Sequence, residues 1–378
     1  MTGHPQYRTR IVSDAAEFAA LRQAWNDLVS RSAEANTFKT WEWLNSWWEA
    51  YRPAYALKLI LVERSDRLAG IAPLMIGRES RLGLPFKALR FVGDGTYETD
   101  HIGFILDKDE ADSVAPLLVT AMEGLEWDIA LLSQVPDESV TTTRLREWVR
   151  TKSLSGREQR VPCAARTLPD DYNGLLASLP SRFRTSLRST RKRLGEAFAI
   201  EFGRHDDPEE FSSALETLYR NHASRWAAKD QAGVFVSEKK RRFYSLLTGR
   251  LHDAGALRFY YLKLNGLIVA QEYCFRHGDT LYLLQEGFDF AFQKENVGNM
   301  LRAMVFEQII GEGMRIYDFL AGVSRHKKTW SDHFPEDVCF EIARDSLKAR
   351  SLQAAPLLAM RLRAMLRKAL KRGQPEGA

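Results

Sequence analysis

The sequence predicts an α+β protein with a mostly antiparallel sheet, and three observations support this class. Three apolar runs follow one another in the second half of the chain: ALRFYYLKL (256–264), LIVAQEYCFRH (267–277) and DTLYLLQEG (279–287). Asn265-Gly266 joins the first two, and this dipeptide is a strong hairpin signal. A helical segment (296–312) and another apolar run, RIYDFL (315–320), come next. The first half repeats this order loosely, so we expect an old duplication with two units of similar plan.

The first half begins with a helical stretch and continues with short apolar runs. Residues 11–50 are predicted to be helical, and WEWLNSWW (41–48) supplies four of the nine tryptophans to an apolar face. LKLILVER (57–64) and RLAGIAPLMIGR (67–78) are separated by a short polar turn, which indicates a hairpin. The remaining predicted elements are the strands 86–93, 100–107 and 127–135 and the helices 111–125 and 141–153.

The second half opens with three predicted helices. SRFRTSLRSTRKRLGEAF (181–198) is strongly basic. The helix 207–229 starts at Asp207, a good N-cap, and the helix 237–255 runs from Ser237 to a closing glycine. A last strand is predicted at 337–344. We therefore divide the chain into an N-terminal unit (1–160), a C-terminal unit (161–345) and a basic amphipathic helix with a tail (346–378).

Composition limits the class of protein without naming a partner. The 378 residues are 45% hydrophobic and 27% charged, as in globular proteins, and the formal charge is +5. Such a mild excess fits a nucleic-acid binder and an enzyme with an anionic co-substrate equally well. Cys163, Cys274 and Cys339 are far apart and form no CxxC pair, so we expect no disulfide and no metal site. Without a signal core or an apolar run of about 20 residues, a cytoplasmic location is expected.

Three motifs between Leu281 and Trp330 carry a family resemblance. LYLLQEGFDFAF ends a strand in a Gly-aromatic-Asp turn, NVGNMLRAMVFEQIIGEG is a helix with glycine at both ends, and YDFLAG precedes HKKTW. Together they resemble the GNAT-type acetyltransferase-like family associated with bacterial cellulose and exopolysaccharide biosynthesis. Members of that family look like tandem GNAT units and are similar to Fem-type peptidyltransferases. One departure is that the family's tyrosine before the downstream lysine is replaced here by His326 or Lys327.

The resemblance implies a function and a co-substrate. It implies an acyl-CoA-dependent N-acyltransferase that acts on an amino sugar or other amine in surface-polysaccharide assembly, with acetyl-CoA or another acyl-CoA as donor. A Fem-like transferase that uses aminoacyl-tRNA is one alternative, and a non-catalytic scaffold of a polysaccharide synthase is another. Transfer from a thioester to an amine requires a proton acceptor, a donor to the carbonyl oxygen and a site for the carrier's phosphates.

The phosphate site is expected at the start of the helix 296–312. In GNAT proteins the pyrophosphate of coenzyme A lies on backbone amides at this position, and helix N-termini suit anions. The resemblance therefore implies cofactor binding by Asn296, Val297, Gly298 and Asn299, with Asn296 as the cap and Gly298 allowing close approach. The alternative is an ordinary helix start, because a single glycine is all that remains of the usual glycine-rich turn.

Glu272 is the first candidate for the proton acceptor. Side chains alternate along LIVAQEYCF, which places Glu272 on a face with small and apolar neighbours. Burial there would raise the pKa of its carboxyl and increase its basicity. Glu286 and Asp289, at the end of the next strand, are rivals, and a solvated or turn-fixing role is the alternative for each.

Asp318 lies inside an apolar strand, where an unpaired carboxylate is costly. We expect a partner among Arg325, Lys327 and Lys328, so that Asp318 is either catalytic or part of a structural ion pair. Lys328 could instead meet a phosphate. Trp330 could form a wall of the acyl or acceptor site, although aromatic packing is the alternative.

Two basic stretches are candidate binding surfaces. Arg184, Arg188 and Arg191 fall on one helical face and could bind an anionic acceptor such as a lipid-linked or nucleotide-linked sugar, unless they are simply solvated. The stretch from Arg344 to Arg372 contains nine Lys or Arg residues and a single acidic residue, Asp345. The apolar stripe of this segment comprises Leu358, Leu362, Met365, Leu366 and Leu370. It could rest on the inner membrane as a peripheral contact or dock on the protein's own core.

A polar loop in the first unit, GDGTYETDH, concentrates Asp94, Glu98, Asp100 and His101. These side chains could line a cleft between the units, or they could belong to a polar hairpin turn.

Overall fold

A computed structural model describes residues 7–227, 235 and 237–355 of the chain. Its strands form one 13-stranded sheet. The strands are β1 (Tyr7–Val12), β2 (Tyr55–Arg64), β3 (Arg67–Arg81), β4 (Leu84–Phe91), β5 (Ile105–Leu106), β6 (Ile129–Pro136), β7 (Ser155–Thr167), β8 (Ile200–Arg204), β9 (Leu257–Leu264), β10 (Leu267–His277), β11 (Thr280–Phe288), β12 (Ile316–Ala321) and β13 (Glu336–Ala343).

Helices cover the sheet. They are α1 (Ala15–Ala20), α2 (Arg22–Ser30), α3 (Trp41–Tyr51), α4 (Ala111–Glu123), α5 (Val140–Thr151), α6 (Tyr172–Ser178), α7 (Ser181–Ala197), α8 (Phe211–Ala227), α9 (Glu238–Asp253), α10 (Val297–Gly311) and α11 (Arg325–Trp330). Residues 347–355 are also helical. Side-chain caps account for several starts: Asp14 accepts from the first turn of α1, and Ser139 accepts from Thr142 N in α5.

Both halves follow the same plan, as the order of predicted elements indicated. In the first half β2, β3 and β4 form an antiparallel meander, α4 crosses over, and β6 pairs parallel to β4. In the second half β9, β10 and β11 form the meander, α10 crosses over, and β12 pairs parallel to β11. The predicted α+β class with a mostly antiparallel sheet and two units of similar plan is therefore confirmed.

The two halves share the sheet rather than forming separate ones. The strand order is β1-β2-β3-β4-β6-β13-β7-β12-β11-β10-β9-β8, with β5 beside β3. The last strand, β13, lies between β6 and β7, and the second part of β7 pairs with β12. The chain therefore returns to the first half near its end, and the division at residue 160 stays a prediction.

The parallel strands at the centre of each half separate soon after they meet. β11 and β12 face each other at three positions, of which Tyr282 opposite Asp318 is the last. β11 then continues to Phe288, while β12, which pairs with β7 on its other side, turns at Leu320, whose φ is 62°. β4 and β6 pair at only two positions. Each half thus contains a gap between two strands.

The tryptophan-rich helix α3 joins the halves. It packs on α9, and the fully buried Trp43 contacts the rings of Phe243 and Phe275 from the second half. One large core therefore crosses both units. A second core lies between α7, α10 and the sheet, with Phe306 and Trp330 fully buried in it.

Several local expectations need correction. Residues 11–50 are not helical throughout, because the edge strand β1 precedes α1. The strand expected at 100–107 shrinks to β5, and β7 and β8 are additional strands. Much of β7 is solvent-exposed and polar, so its sequence lacks the apolar pattern of a buried strand. The apolar stripe of residues 358–370 lies outside the described residues.

Among the described residues, no helix has both the length and the apolar character that a membrane span requires.

Candidate active site

A buried ionic cluster lies beside the start of α10. Arg302 donates from Nε to Glu272 Oε1 at 2.9 Å, and a second guanidinium nitrogen donates to Glu286 Oε2. Tyr317 donates its hydroxyl to Glu272 Oε2 at 2.8 Å. Arg302 Nη1 lies 2.8 Å from His326 Nε2. Since a guanidinium can only donate, His326 Nε2 is the acceptor if this contact is a hydrogen bond.

Burial determines how this cluster behaves. The Arg302 and Glu272 side chains are 1% and 2% exposed, whereas Glu286 is 31% exposed. Desolvation raises the pKa of Glu272, although the Arg302 charge opposes this shift. Desolvation lowers the pKa of Arg302, but the neighbouring Glu272 carboxylate and other groups outweigh it and raise the pKa overall. Glu272 therefore sits where the sequence predicted, but both of its oxygens are occupied.

A cavity of about 250 Å³, here the α10 cavity, opens at the first turn of α10. It is lined by Asn296, Val297, Gly298 and Asn299 together with Glu272, Glu286 and His326. Asn296 has left-handed φ/ψ and its side chain caps no backbone N–H of the helix, contrary to the expected cap. Its Oδ1 accepts from Asn299 Nδ2 at 2.7 Å instead. Among the described residues, a Cβ at Gly298 would meet only Phe288, at 3.7 Å, so no described side chain closes this approach to the backbone.

A second cavity of about 230 Å³, the gap cavity, occupies the space where β11 and β12 separate. Its lining includes residues 283–286 of β11, Phe319 of β12, and Arg302, His326 and Lys327. Along this stretch β11 still pairs with β10 on one side but has no partner in β12. Backbone groups of β11 are therefore available to a ligand in the gap.

A third cavity of about 810 Å³, the inter-unit cavity, lies between the halves. The first half contributes Asp94, Tyr97, Asp100 and Gln134, and the second contributes residues 283–285, 319–322 and Lys327. The three cavities adjoin. The α10 and gap cavities share Glu286 and His326, and the gap and inter-unit cavities share residues 283–285, Phe319 and Lys327.

Asp318 has a partner that the sequence did not indicate. His101 Nε2 lies 3.2 Å from Asp318 Oδ2, an ion-pair distance without hydrogen-bond geometry, and His101 Nδ1 lies 3.0 Å from Asp337 Oδ1. Burial alone would lower the pKa of His101, but the Asp318 and Asp337 carboxylates outweigh burial and raise it well above its usual value. The polar loop of the first unit thus reaches the second unit, and the expected pairing of Asp318 with Arg325, Lys327 or Lys328 is not observed.

Cys163 lies in the same network. His101, Cys163 and Asp337 offer ligand atoms within 4.8 Å of one another, a spacing at which a metal ion could be held. Desolvation is the main cause that raises the pKa of the Cys163 thiol. The nearby negative charges of Asp337 and Asp100 raise this pKa further. Asp337 Oδ1 and His101 Nδ1 already bond to each other, so this pair is engaged within the protein.

The downstream lysines differ from expectation. Lys327, rather than Lys328, lines the gap, and its Nζ donates to the carbonyls of Leu320 and Ala321 at 3.2 and 2.7 Å. Burial lowers the pKa of Lys327. Lys328 is exposed and lines none of the three cavities. Trp330 is fully buried and donates from Nε1 to Asn299 Oδ1 at 3.0 Å, so it supports the helix start and is not a cavity wall.

The basic face of α7 lies outside the cavities. Arg184 donates to the carbonyls of Leu176 and Ala177 at the end of α6, which uses its guanidinium locally. Arg188 is exposed and lines none of the three cavities. Arg193 approaches the carbonyl of Lys294, near the start of α10. The basic helix therefore borders the mouth of the α10 cavity without entering it.

Sequence reasoning missed Arg302 as a site residue. Its sole signal was a charge inside the apolar helix NVGNMLRAMVFEQII, where an arginine needs acidic partners. His101 was noticed as part of a polar loop, but its pairing with Asp318 depends on contact between residues 217 positions apart, which no local pattern reports.

Comparison with known proteins places this geometry in a family context. Residues 181–328 match the model of a family described as acetyltransferase (GNAT) domain. No curated protein matches the sequence.

Solved structures share the fold at low sequence identity. A crystal structure of FemX is 12% identical with a TM-score of 0.62, covering 89% of this chain and 98% of that one. A conserved protein of unknown function from Bacteroides thetaiotaomicron is 14% identical with a TM-score of 0.54, covering 89% and 100%. The C-terminal domain of a putative lysylphosphatidylglycerol synthetase from Agrobacterium fabrum is 10% identical with a TM-score of 0.52, covering 91% and 97%. The chain therefore contains a GNAT acetyltransferase-like domain over residues 181–328, within an overall fold similar to that of FemX.

Proposed function

We propose that this protein is an N-acyltransferase that moves an acyl group from an acyl-CoA to an amine, such as that of an amino sugar. One observation carries the proposal: three adjoining cavities run from the open N-terminus of α10, through the gap between β11 and β12, to the space between the halves. This arrangement offers successive places for the phosphates of a donor, for its thioester and for an acceptor.

The donor would bind along α10 and β11. First-turn N–H groups at 297–299 and the positive end of the helix dipole suit a pyrophosphate, and the bordering Arg193 and Lys294 add positive charge. The extended pantetheine arm would then lie in the gap, where backbone groups of β11 are available on the β12 side. A β11 N–H in the gap would donate to the thioester carbonyl oxygen.

The acceptor amine would attack from the inter-unit side. Its nitrogen forms the new C–N bond as the C–S bond breaks, and the thiol of coenzyme A leaves with a proton. A neutral amine loses one proton in this step. Glu286, partly exposed at the junction of the α10 and gap cavities, can receive that proton and pass it to the departing thiolate. Glu272, which is held by Arg302 and Tyr317, would fix the position of Arg302 and through it that of Glu286. Asp318 would position His101.

A Fem-like use of aminoacyl-tRNA is the second candidate, favoured by the basic face of α7 beside the α10 cavity. Phosphates of a nucleic acid would be attracted to exposed arginines such as Arg188, and their spread along α7 exceeds what one pyrophosphate needs. For the acyl-CoA-dependent enzyme we further propose a role in surface-polysaccharide assembly in the cytoplasm, with peripheral membrane contact through the basic C-terminal sequence.

Titration calorimetry with acetyl-CoA and with longer acyl-CoAs tests the donor. Binding with a Kd on the order of micromolar would support the acyl-CoA proposal. Absence of binding by every acyl-CoA would overturn it, and transfer from charged tRNA would then support the Fem-like alternative. Failure of both donors would leave a non-catalytic scaffold.

A further inference from the structure

Tyr97, which lines the inter-unit cavity, combines high solvent exposure with a left-handed backbone conformation. The residue is 99% exposed, and its φ of 63° lies in the left-handed region. An aromatic residue there is strained, and its ring gains nothing from burial. Neither packing nor backbone preference therefore explains a tyrosine at this position.

The strain recurs around the same cavity. Gln134 in β6 has a φ of 56° and Leu320 in β12 has a φ of 62°, and both line the inter-unit cavity. Strand residues rarely adopt this conformation, and such strain is concentrated at ligand sites. The cavity is therefore shaped from both halves by backbone positions that cost folding energy.

The charges of the cavity argue against a phosphate. Among the described residues, Arg90 and Lys327 are the cations that line it. Arg90 bonds to Glu79 and lies 3.3 Å from Asp94 Oδ2, and Lys327 donates to two carbonyls. Asp94 and Asp100 line the cavity as well. The charge of Arg90 is thus neutralised by carboxylates, and Lys327 is engaged by carbonyls. Asp94 and Asp100 are hydrogen-bonded as well, Asp94 to Arg90 and Ser133 N, and Asp100 to Gln134 and Ala321 N. Their carboxylates keep further lone pairs, which together with the amide of Gln159 suit hydroxyl and amino groups.

We infer, on the basis of the proposed transferase function, that the acceptor is a phosphate-free amino sugar whose ring stacks on Tyr97. Asp100 accepts from Ala321 N in β12, which places this carboxylate between the cavity and the gap, where an amine would enter. A nucleotide-linked or lipid-pyrophosphate-linked sugar would bring anionic groups to a site with no uncommitted cation among the described lining residues. This inference replaces the expectation that Arg184 and Arg188 bind such an anionic acceptor.

Acceptor binding in the absence of donor tests this inference. Calorimetry would compare a glucosamine tetrasaccharide with UDP-glucosamine, on the native chain and on Y97A, Y97F and the control F334A. Phe334 is also an exposed aromatic residue, 45% exposed, and lies outside the inter-unit cavity. We expect the tetrasaccharide to bind and Y97A to weaken it about tenfold, as one uncovered ring face implies. Y97F and F334A should bind like the native chain.

Two outcomes would overturn the inference: tighter binding of UDP-glucosamine than of the tetrasaccharide, or native affinity in Y97A. A linear diamine without a sugar ring should not bind. If the diamine bound as tightly as the tetrasaccharide, Tyr97 would only attract a cation, and the inferred stacking of a sugar ring would be wrong. The donor experiment is independent. Binding of acyl-CoA without the sugar refutes this inference alone, and binding of the sugar without any acyl-CoA refutes the acyl-CoA proposal alone.

Discussion

Asp318 in β12 lies opposite Tyr282 in β11, and this pair is the last that the two parallel strands form. Beyond it the strands separate, and the side chains next along each strand line the gap cavity. Asp318 is at the same time 3.2 Å from His101 of the first half. The gap therefore opens beside a contact between the two halves.

Gly298→Ala should weaken donor binding without weakening the fold. Its new methyl group would lie in ordinary contact with Phe288, 3.7 Å away, but would cover the first-turn amides. We expect about a tenfold loss of acyl-CoA affinity in calorimetry, the equivalent of one charge-assisted hydrogen bond.

Gly311→Ala, at the other end of α10, is the matched control, because a Cβ there meets no atom of the described part of the chain within 4 Å. Both variants should unfold at the same or slightly higher denaturant concentration, since alanine favours a helix over glycine by about 1 kcal/mol. Equal affinities in the two variants would contradict a phosphate site at the start of α10.

Glu272→Gln and Glu286→Gln should separate stability from catalysis. Glu272 is buried against Arg302. Its replacement by glutamine removes a negative charge that balances the buried guanidinium, so the free energy of unfolding should fall by about 3 kcal/mol. Glu286 is partly exposed, so its variant should lose less than about 1 kcal/mol.

The turnover number should respond in the opposite order. As the proposed proton acceptor, Glu286→Gln should lower kcat about 100-fold, whereas folded Glu272→Gln should retain more activity. Urea unfolding and steady-state kinetics on both variants check this pattern, and a fully active Glu286→Gln enzyme would remove that carboxylate from the mechanism.

The His101 network should make stability depend on pH. Because the folded pKa of His101 is raised, its ion pairs stabilise the protein fully below the unfolded pKa of about 6.5. This contribution is lost as pH rises through the raised folded pKa. The unfolding free energy of the native chain should therefore exceed that of H101N by an amount that shrinks towards alkaline pH.

Urea unfolding of both proteins at several pH values measures that difference. A difference that stays constant, or grows with pH, would show that His101 is neutral in the folded protein.

Trp330→Phe should be milder than Trp330→Ala. The indole is fully buried between Phe183 and Phe306 and donates to Asn299. Alanine would leave a cavity that costs about 3–5 kcal/mol, whereas phenylalanine keeps most packing and loses mainly one hydrogen bond, about 1 kcal/mol. Thermal unfolding tests the order, and loss of donor affinity in Trp330→Phe would show that the indole also orders the start of α10.

Local chemistry was enough to predict much of the fold. Asn265-Gly266 forms the turn between β9 and β10, and alternation along β10 correctly placed Glu272 on a buried face. The exposed, polar β7 and the edge strand β1 escaped prediction because strands without a continuous buried face lack a periodic apolar signal.

The amino-acid sequence by itself determined the two meanders, their crossover helices and the short motifs from Leu281 to Trp330, because turns, periodicity and apolar runs act over a few residues. Only the tertiary structure decided which charges meet. Arg302 contacts Glu272 and Glu286 because α10 packs on the sheet. Asp318 contacts His101 because the two halves share that sheet. Buried charges must be paired, but the identity of the partner depends on long-range packing that no local pattern contains.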